Sequence, residues 1–210
     1  MDNSIATFNQ HQLDQNLQAE QPPKKLAILS LCMELIELLA IALALVVVII
    51  TIFARHSPVI GSSMEPTLHE NDVLMISNFF YTPQRGDIVV IQAPNDMLSV
   101  LVKRVIATGG DVIEINFVNW SIYVNGELIE EDYIARGPQL AGHSMNSYDL
   151  TVVDGVFRDV VPHGHIFVLG DHRNNSNDSR HRDIGFVDNR YVVGRALFRI
   201  LPFGSFGGFR

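Results

Sequence analysis

Lys103 is the only lysine after Lys25, since every other basic residue beyond that point is an arginine. Lysine can lose its proton inside a protein and then accept one from a nucleophile, whereas arginine stays charged. A lysine that acts as a base at neutral pH needs its pKa lowered by roughly 3 units, which burial in an apolar strand can provide. Residues 101–106 have such a strand pattern. By itself this strand favours a plainer interpretation, in which the lysine extends to water or pairs with an acid.

A candidate nucleophile lies in residues 61–68, where Ser62 and Ser63 stand between a glycine and a proline. Serine attacks a carbonyl carbon when a neighbouring base takes its proton, and a neutral lysine can replace the histidine and aspartate of a triad. The alternative is a turn capped by the two hydroxyl groups. The sequence contains neither Gly-x-Ser-x-Gly nor Ser-x-x-Lys, which disfavours the hydrolases and lactamases that carry those motifs.

A third polar segment, residues 170–180, follows an apolar run and is rich in Asp, Asn, Ser and Arg. It lacks the terminal glutamate and the ligand spacing of a calcium loop. Four histidines lie in or near this segment: His163, His165, His172 and His181. They form no complete zinc ligand set, and we expect no metal site. The favoured interpretation is a buried polar network in which Asp178 pairs with Arg180 and Asp171 pairs with another arginine.

The elements that must position these groups are short β-strands. Runs of β-branched residues, separated by Gly, Pro, Asn and Asp, lie at 73–76, 88–91, 100–102, 112–115, 166–169 and 191–193. Asn125-Gly126 between two apolar runs predicts a hairpin with a type I′ turn. The pattern is irregular between Glu130 and His165. We therefore predict a mainly β, largely antiparallel domain with a smaller, less regular β-lobe inserted over residues 110–165.

The N-terminal part predicts a membrane anchor. Residues 1–25 are rich in Asn, Gln and charge and predict a disordered tail, whereas residues 26–54 are almost entirely apolar. About 20 apolar residues suffice to cross a bilayer, and no small-residue cleavage site follows this stretch. Lys24 and Lys25 against Arg55 favour a cytoplasmic tail. Residues 55–210 would then lie outside the cell or in a lumen.

Composition excludes several classes of function. The 210 residues include 15 Lys and Arg against 23 Asp and Glu, for a net charge of −8, which disfavours nucleic-acid binding because that task needs a basic face. The single cysteine, Cys32, excludes an intramolecular disulfide, a Cys-based zinc site and a two-thiol redox motif. The length supports one domain with appendages.

Together these features resemble the bacterial type I signal peptidases, membrane-anchored Ser/Lys endopeptidases that remove signal peptides from exported proteins. The apolar span is followed, in the family's order, by motifs at 63–68, 85–90, 103–111 and 170–180. Each motif alone is weak, whereas the ordered set is specific. The resemblance extends over about residues 26–200. It reverses the plainer interpretation of Lys103 and supports a cytoplasmic tail.

The resemblance implies a role for each matching residue. Ser63 is the expected nucleophile and Lys103 the expected general base, with Ser176 hydrogen-bonding and orienting the lysine. The expected supporting ion pairs are Asp178 with Arg180 and Asp171 with Arg104. The residues expected to shape shallow apolar pockets for small side chains at −3 and −1 are Val59, Met64, Leu68 and Val102. An extended peptide would add to a sheet edge, and no cofactor is expected.

Two departures from the family pattern stand out. Gly61 occupies the position where some members have a serine that contributes to the oxyanion hole. The segment 181–185 is longer than the usual continuation after Arg180.

The expected partners are preproteins and the lipid bilayer. The alternatives are a self-cleaving repressor, which the membrane span disfavours, and a non-catalytic membrane-tethered scaffold.

Overall fold

The computed structural model describes residues 24–53, 55–93, 96–134 and 145–209. Two compact units divide the chain after Thr51. The described part of the first unit, residues 24–51, belongs to one helix, α1 (Lys24–Phe53). The second unit contains the β-structure. Most of the predicted tail, residues 1–25, lies outside the described residues, as does the part of the predicted lobe at 135–144.

Helix α1 has 30 residues, which at about 1.5 Å per residue gives a length of roughly 45 Å. The hydrocarbon core of a bilayer is about 30 Å thick, so the helix is long enough to cross it. Its apolar part runs from Ile28 to Val48, and every side chain there is exposed. Apolar side chains exposed on all sides of a helix require an apolar surrounding. The predicted apolar helix is therefore confirmed.

The second unit contains two antiparallel sheets. In chain order the strands are β1 (Arg55–Pro58), β2 (Val73–Ser77), β3 (Ile88–Ala93), β4 (Asp96–Thr108), β5 (Val112–Asn116), β6 (Ser121–Val124), β7 (Glu127–Leu128), β8 (Val156–Val160), β9 (His165–Leu169), β10 (Val187–Asp188) and β11 (Val192–Leu201). The seven-stranded sheet has the order β1-β2-β11-β3-β4-β9-β10. The four-stranded sheet, β7-β6-β5-β8, is inserted between β4 and β9.

The predicted fold class is confirmed by these two sheets. Strands β6 and β7 form the predicted hairpin, and both turn residues have the positive φ of a type I′ turn, 56° at Asn125 and 82° at Gly126. The smaller sheet is the inserted β-lobe. Its buried residues Ile113, Ile115 and Phe157 share one apolar core with strand β9 of the larger sheet.

Some strands differ from the prediction because pairing with a neighbouring strand, and not the local apolar pattern, determines where they begin and end. Strand β4 is a single strand of 13 residues, and β11 continues to Leu201 through several register shifts. Strands β1 and β8 were not predicted. Residues 55–58 contain a proline and lack an apolar pattern, but they pair with β2 along their whole length. Strand β8 pairs with β5 while Arg158 and Asp159 face solvent.

Candidate active site

The turn that carries Ser63 follows β1 and reverses at Gly61, whose φ of 78° lies in the left-handed region that favours glycine. The side chains of Met64 and Leu68 anchor this turn, since both are fully buried in the apolar core. Lys103 approaches the turn from strand β4. Its Nζ donates a hydrogen bond to Oγ of Ser63 over 2.8 Å. A hydroxyl group and a potential base are thus in direct contact.

Lys103 is buried, with only 2% of its surface exposed. Besides the serine hydroxyl, its Nζ contacts the backbone carbonyl of Val102 at 2.9 Å. Burial lowers the pKa of Lys103 to about 8, because the charges of Asp178 and Asp171, which raise it, do not compensate for the lost hydration; the charge of Arg180 lowers it further. With this pKa a useful fraction of the amine is neutral near pH 7 and can accept a proton.

Residues 170–176 hold the turn of the serine in place. The backbone N–H of His172 donates to the carbonyl of Ser63 over 3.0 Å, and its ring Nδ1 lies 3.3 Å from the carbonyl of Ser62. The side-chain amide of Asn175 donates to Oγ of Ser62 over 2.8 Å. These contacts fix the backbone on both sides of the peptide bond that joins the two serines.

Two buried ion pairs lie close to the lysine. Arg104 donates to the two carboxylate oxygens of Asp171 over 2.9 and 2.7 Å. Arg180 donates to both carboxylate oxygens of Asp178, each over 2.8 Å. Burial alone would raise the pKa of Asp178, but the bonds and charge of Arg180 and a backbone N–H outweigh it and hold this pKa below its ordinary value. The carboxylate therefore remains charged beside the lysine.

Most of the chain, residues 32–201, matches the family model described as signal peptidase, peptidase S26. Over 184 residues it is 36% identical to the probable signal peptidase I-1 of Synechocystis sp. (strain ATCC 27184 / PCC 6803 / Kazusa), covering 83% of this chain and 85% of that protein. The chain belongs to the type I signal peptidases. Signal peptidase I of Bacillus caldolyticus is 40% identical over 151 residues, which cover 70% of this chain and 79% of that relative.

A solved signal peptidase I from Enterococcus faecalis V583 is 31% identical, with a TM-score of 0.44, and the match covers 55% of this chain and 97% of that one. Membership of the family makes this signal peptidase a serine peptidase, a hydrolase whose substrates are preproteins with signal peptides. Helix α1 is long and apolar enough to anchor it in a membrane.

Ser176 of the signal peptidase is buried in the segment beside the lysine but does not bond to it. Within the described residues, Nζ of Lys103 donates only to Ser63 and to the carbonyl of Val102. The hydroxyl of Ser176 is near enough to Asp178 to contribute to the lowered pKa of that carboxyl, yet it makes no hydrogen bond of good geometry with any described residue. The structure thus lacks the lysine contact that the resemblance implied.

The apolar residues predicted to shape the substrate pocket of the signal peptidase belong to one core cluster beside the turn of the serine: Val59, Met64, Leu68 and Val102. They are 3%, 1%, 0% and 8% exposed, respectively. With so little exposed surface they form a closed apolar floor rather than an open cavity.

Several buried or half-buried polar residues beside the site of the signal peptidase were not predicted from the sequence. Thr67 donates to the carboxylate that pairs with Arg104, over 2.5 Å. Arg173 pairs with Glu131, and the ring of Tyr133 lies 3.8 Å from the guanidinium carbon of Arg104. Thr67 and Arg173 lie inside the recognised motifs at 63–68 and 170–180, so the sequence offered a signal for these two residues. Glu131 and Tyr133 lie in the segment whose pattern was irregular, and nothing in their spacing marks them.

Metal-binding geometry does not occur in the described part of the signal peptidase: residues 24–53, 55–93, 96–134 and 145–209 contain no group of three or more His, Cys, Asp or Glu side chains suited to a metal ion. Two of the histidines considered for zinc have other contacts. His172 touches the turn of the serine, and the ring of His181 lies 3.9 Å from that of Tyr148.

Replacing Lys103 with methionine is expected to stabilise the folded signal peptidase at neutral pH. The pKa of Lys103 is about 8 in the folded protein against an ordinary value of 10.5, so the unfolded chain binds more protons between these values and stability rises with pH across this window. Below pH 8 the full cost of the buried charge, roughly 3 kcal/mol, is present. Methionine fills a similar volume without a charge.

Denaturation of both proteins in detergent at several pH values tests this prediction. The advantage of Lys103→Met should be largest below pH 8 and should disappear above pH 10.5, where the lysine is neutral in both states. If the advantage were the same at every pH, it would not arise from the lost hydration of a charged lysine, and the prediction would be wrong.

Proposed function

We propose that Ser63 is the nucleophile of this signal peptidase and that Lys103 is its general base. The observation that carries the proposal is the 2.8 Å contact between Nζ of the buried lysine and Oγ of the half-buried serine. The lowered pKa of the lysine, about 8, supports it, because a base must be unprotonated before it can act.

The proposed reaction uses side chains, backbone and water. Neutral Lys103 takes the proton of Ser63, and the serine oxygen attacks the carbonyl carbon of the scissile bond. The backbone N–H of Ser63 has no acceptor among the described residues, so it is free to stabilise the oxyanion. The lysine then gives its proton to the leaving amine, and water hydrolyses the acyl-enzyme with the lysine again acting as the base.

The two ion pairs are proposed to orient the lysine. Asp171 with Arg104 joins the segment 170–180 to strand β4, where the lysine is located. Asp178 with Arg180 stabilises the segment internally, since both residues belong to it. Ser176 is proposed to accept a hydrogen bond from the protonated lysine once the serine has reacted. Its hydroxyl is buried in that segment and lacks another partner of good geometry among the described residues.

The signal peptide is proposed to bind along a free edge of strand β4. On one side, Asp96 and residues 100–104 of this strand pair with β3. On the other side, pairing with β9 begins only at Arg104, so residues 100–103 have no described strand neighbour there. An extended peptide added at this edge gains main-chain hydrogen bonds and runs directly to the lysine and the serine.

The closed floor is proposed to restrict the substrate to small side chains at −3 and −1. In an extended peptide, alternate side chains point to the same face, so these two positions reach the floor together while −2 points away. Val59, Met64, Leu68 and Val102 expose too little surface to admit a long side chain. Alanine or a residue of similar size therefore fits best.

A preprotein with alanine at −3 and −1 is expected to be cut after the −1 residue by the detergent-solubilised full chain. Replacing the −1 alanine with phenylalanine should lower kcat/KM by roughly 10- to 100-fold, because overpacking costs about 1–3 kcal/mol. The matched control is phenylalanine at −2, which should have little effect. Equal losses at −1 and −2 would contradict the proposed floor, and an inert enzyme would contradict the proposed reaction.

We also propose a topology in which residues 1–25 are a cytoplasmic tail, 26–54 the anchor and 55–210 the exported peptidase domain, with the lobe at 110–165 inserted in it. The lysines at 24 and 25 against Arg55 support this orientation. In sealed vesicles of known sidedness, protease added to the outer face should digest the peptidase domain only when that face is extracytoplasmic. Digestion in inverted vesicles alone would reverse the topology.

A further inference from the structure

Glu131 and Arg173 form a buried ion pair that the proposed mechanism does not use. Their side chains are 1% and 0% exposed, and the arginine donates to both carboxylate oxygens over 2.9 and 2.5 Å. Glu131 follows the hairpin of the smaller sheet, whereas Arg173 lies in the segment 170–180. A buried ion pair is weak evidence for stability, because apolar residues of similar volume are often as stable in its place.

Arg173 links this pair to the active site through Gly170. Its Nε donates to the carbonyl of Gly170 over 3.1 Å, while Asp178 accepts the N–H of the same glycine over 3.0 Å. The carbonyl of Arg173 accepts a hydrogen bond from Arg180 over 2.5 Å. A Cβ atom placed on Gly170 would lie 2.5 Å from the carbonyl oxygen of Ser63, so little room is left between this glycine and the nucleophile turn.

Tyr133 links the same part of the lobe to the other side of the lysine. Its hydroxyl donates to Glu131 over 2.8 Å, and its ring lies 3.8 Å from the guanidinium carbon of Arg104. Arg104 directly follows Lys103 in strand β4 and also donates to the carbonyl of Gly86 over 3.0 Å. Two neighbouring residues of the lobe therefore contact both elements that carry the site.

We propose that Glu131 and Tyr133 are positioning residues, through which the inserted lobe sets the placement of Lys103 relative to Ser63. The inference rests on the proposed roles of that lysine and serine and extends them to the lobe. Glu131 acts through Arg173 on the backbone of Gly170. Tyr133 acts on strand β4 through Arg104. Neither of the two is assigned a contact with the substrate.

The decisive variant is the double replacement Glu131→Met/Arg173→Met. It removes both buried charges together, so no unpaired charge remains and the protein is expected to fold. It also removes the hydrogen bond to Gly170. We expect a fall in kcat of about tenfold or more per active enzyme molecule with little change in KM, because misplacement of reacting groups lowers the rate of the chemical step.

The pH profile separates positioning from a purely structural role. The charged groups that act on Lys103 are Asp178, Asp171 and Arg180, but burial is the largest cause of its low pKa. A loosened site admits water, so the midpoint of the base limb should move upward from about pH 8 in the double variant. Tyr133→Phe should cause a smaller change in the same direction.

Glu130→Gln is the matched control, since Glu130 is the exposed neighbour of Glu131, and it should behave as the wild type. A folded double variant with the kcat and pH midpoint of the wild type would overturn the inference. If it does not fold, Tyr133→Phe decides: an unchanged midpoint and kcat overturn the inference, and a shifted midpoint supports it. Lys103→Ala, measured in parallel, tests the underlying proposal separately, because cleavage by that variant would remove the lysine itself from the mechanism.

Discussion

Lys103→Arg is expected to abolish cleavage although it keeps the positive charge. A guanidinium group stays protonated at any pH the protein tolerates, so it cannot accept the proton of Ser63. Loss of either member of a nucleophile–base pair typically lowers turnover by on the order of 10⁴-fold or more. We therefore expect kcat/KM for a model preprotein to fall by at least about 10⁴-fold in Lys103→Arg and in Ser63→Ala.

Ser62→Ala is the matched control for the serine. Its hydroxyl accepts a hydrogen bond from Asn175 but has no contact with the lysine, and its loss should cost less than about tenfold in kcat/KM. The double variant Ser63→Ala/Lys103→Arg should be no less active than either single variant, because two residues that act as one unit lose their effect together. The shared role would be refuted if the loss of kcat/KM in the double variant were the product of the two single losses, or if Lys103→Arg retained turnover.

Gly170→Ala is expected to have the next largest effect. A Cβ atom at this position would clash with Oγ of Ser176 and would lie 2.5 Å from the carbonyl oxygen of Ser63 and 2.6 Å from Cβ of Ser176. The carbonyl belongs to the backbone of the nucleophile turn, so the clash cannot be relieved by a side-chain rotation alone. A displacement of this size in a catalytic group can lower the rate by about 100-fold.

Two glycine controls make the result interpretable. A Cβ at Gly204 would meet nothing within 4 Å, so Gly204→Ala should be silent. A Cβ at Gly109 would meet the backbone of residues 162–164 at 2.9 to 3.0 Å, away from the serine and the lysine. Gly109→Ala should therefore destabilise the protein while its folded fraction keeps normal kcat. Activity per folded molecule in Gly170→Ala equal to that of Gly109→Ala would contradict the close packing against the turn.

The sequence by itself determined the features that depend on local pattern. An apolar stretch of sufficient length predicts α1, because the backbone N–H and C=O groups of a segment in lipid must form hydrogen bonds with each other. β-branched runs predict the central strands, and Asn125-Gly126 predicts the hairpin, because only some residues adopt positive φ easily. Residue type alone drew attention to Lys103, and the order of the motifs identified the family.

Beyond the expected pairs of Asp178 with Arg180 and Asp171 with Arg104, only the tertiary structure decided which polar groups meet. Arginine and carboxylate side chains are numerous in this chain, and sequence spacing does not say that Arg173 selects Glu131 or that Arg104 lies on Tyr133. The same holds for strands β1 and β8, which exist because a partner strand supplies their hydrogen bonds. Ser176 is an example of a predicted contact that the structure lacks. Its hydrogen bond to the lysine depends on a side-chain orientation that no motif specifies.

The burial of Lys103 combines both contributions. Its strand pattern allowed either a surface lysine or a buried base, because successive side chains of a strand alternate between faces and either face can be covered. The turn of residues 61–68, held by residues 170–176, covers the lysine and removes it from water. Desolvation is the largest cause of its lowered pKa, and desolvation arises only when distant parts of the chain pack together.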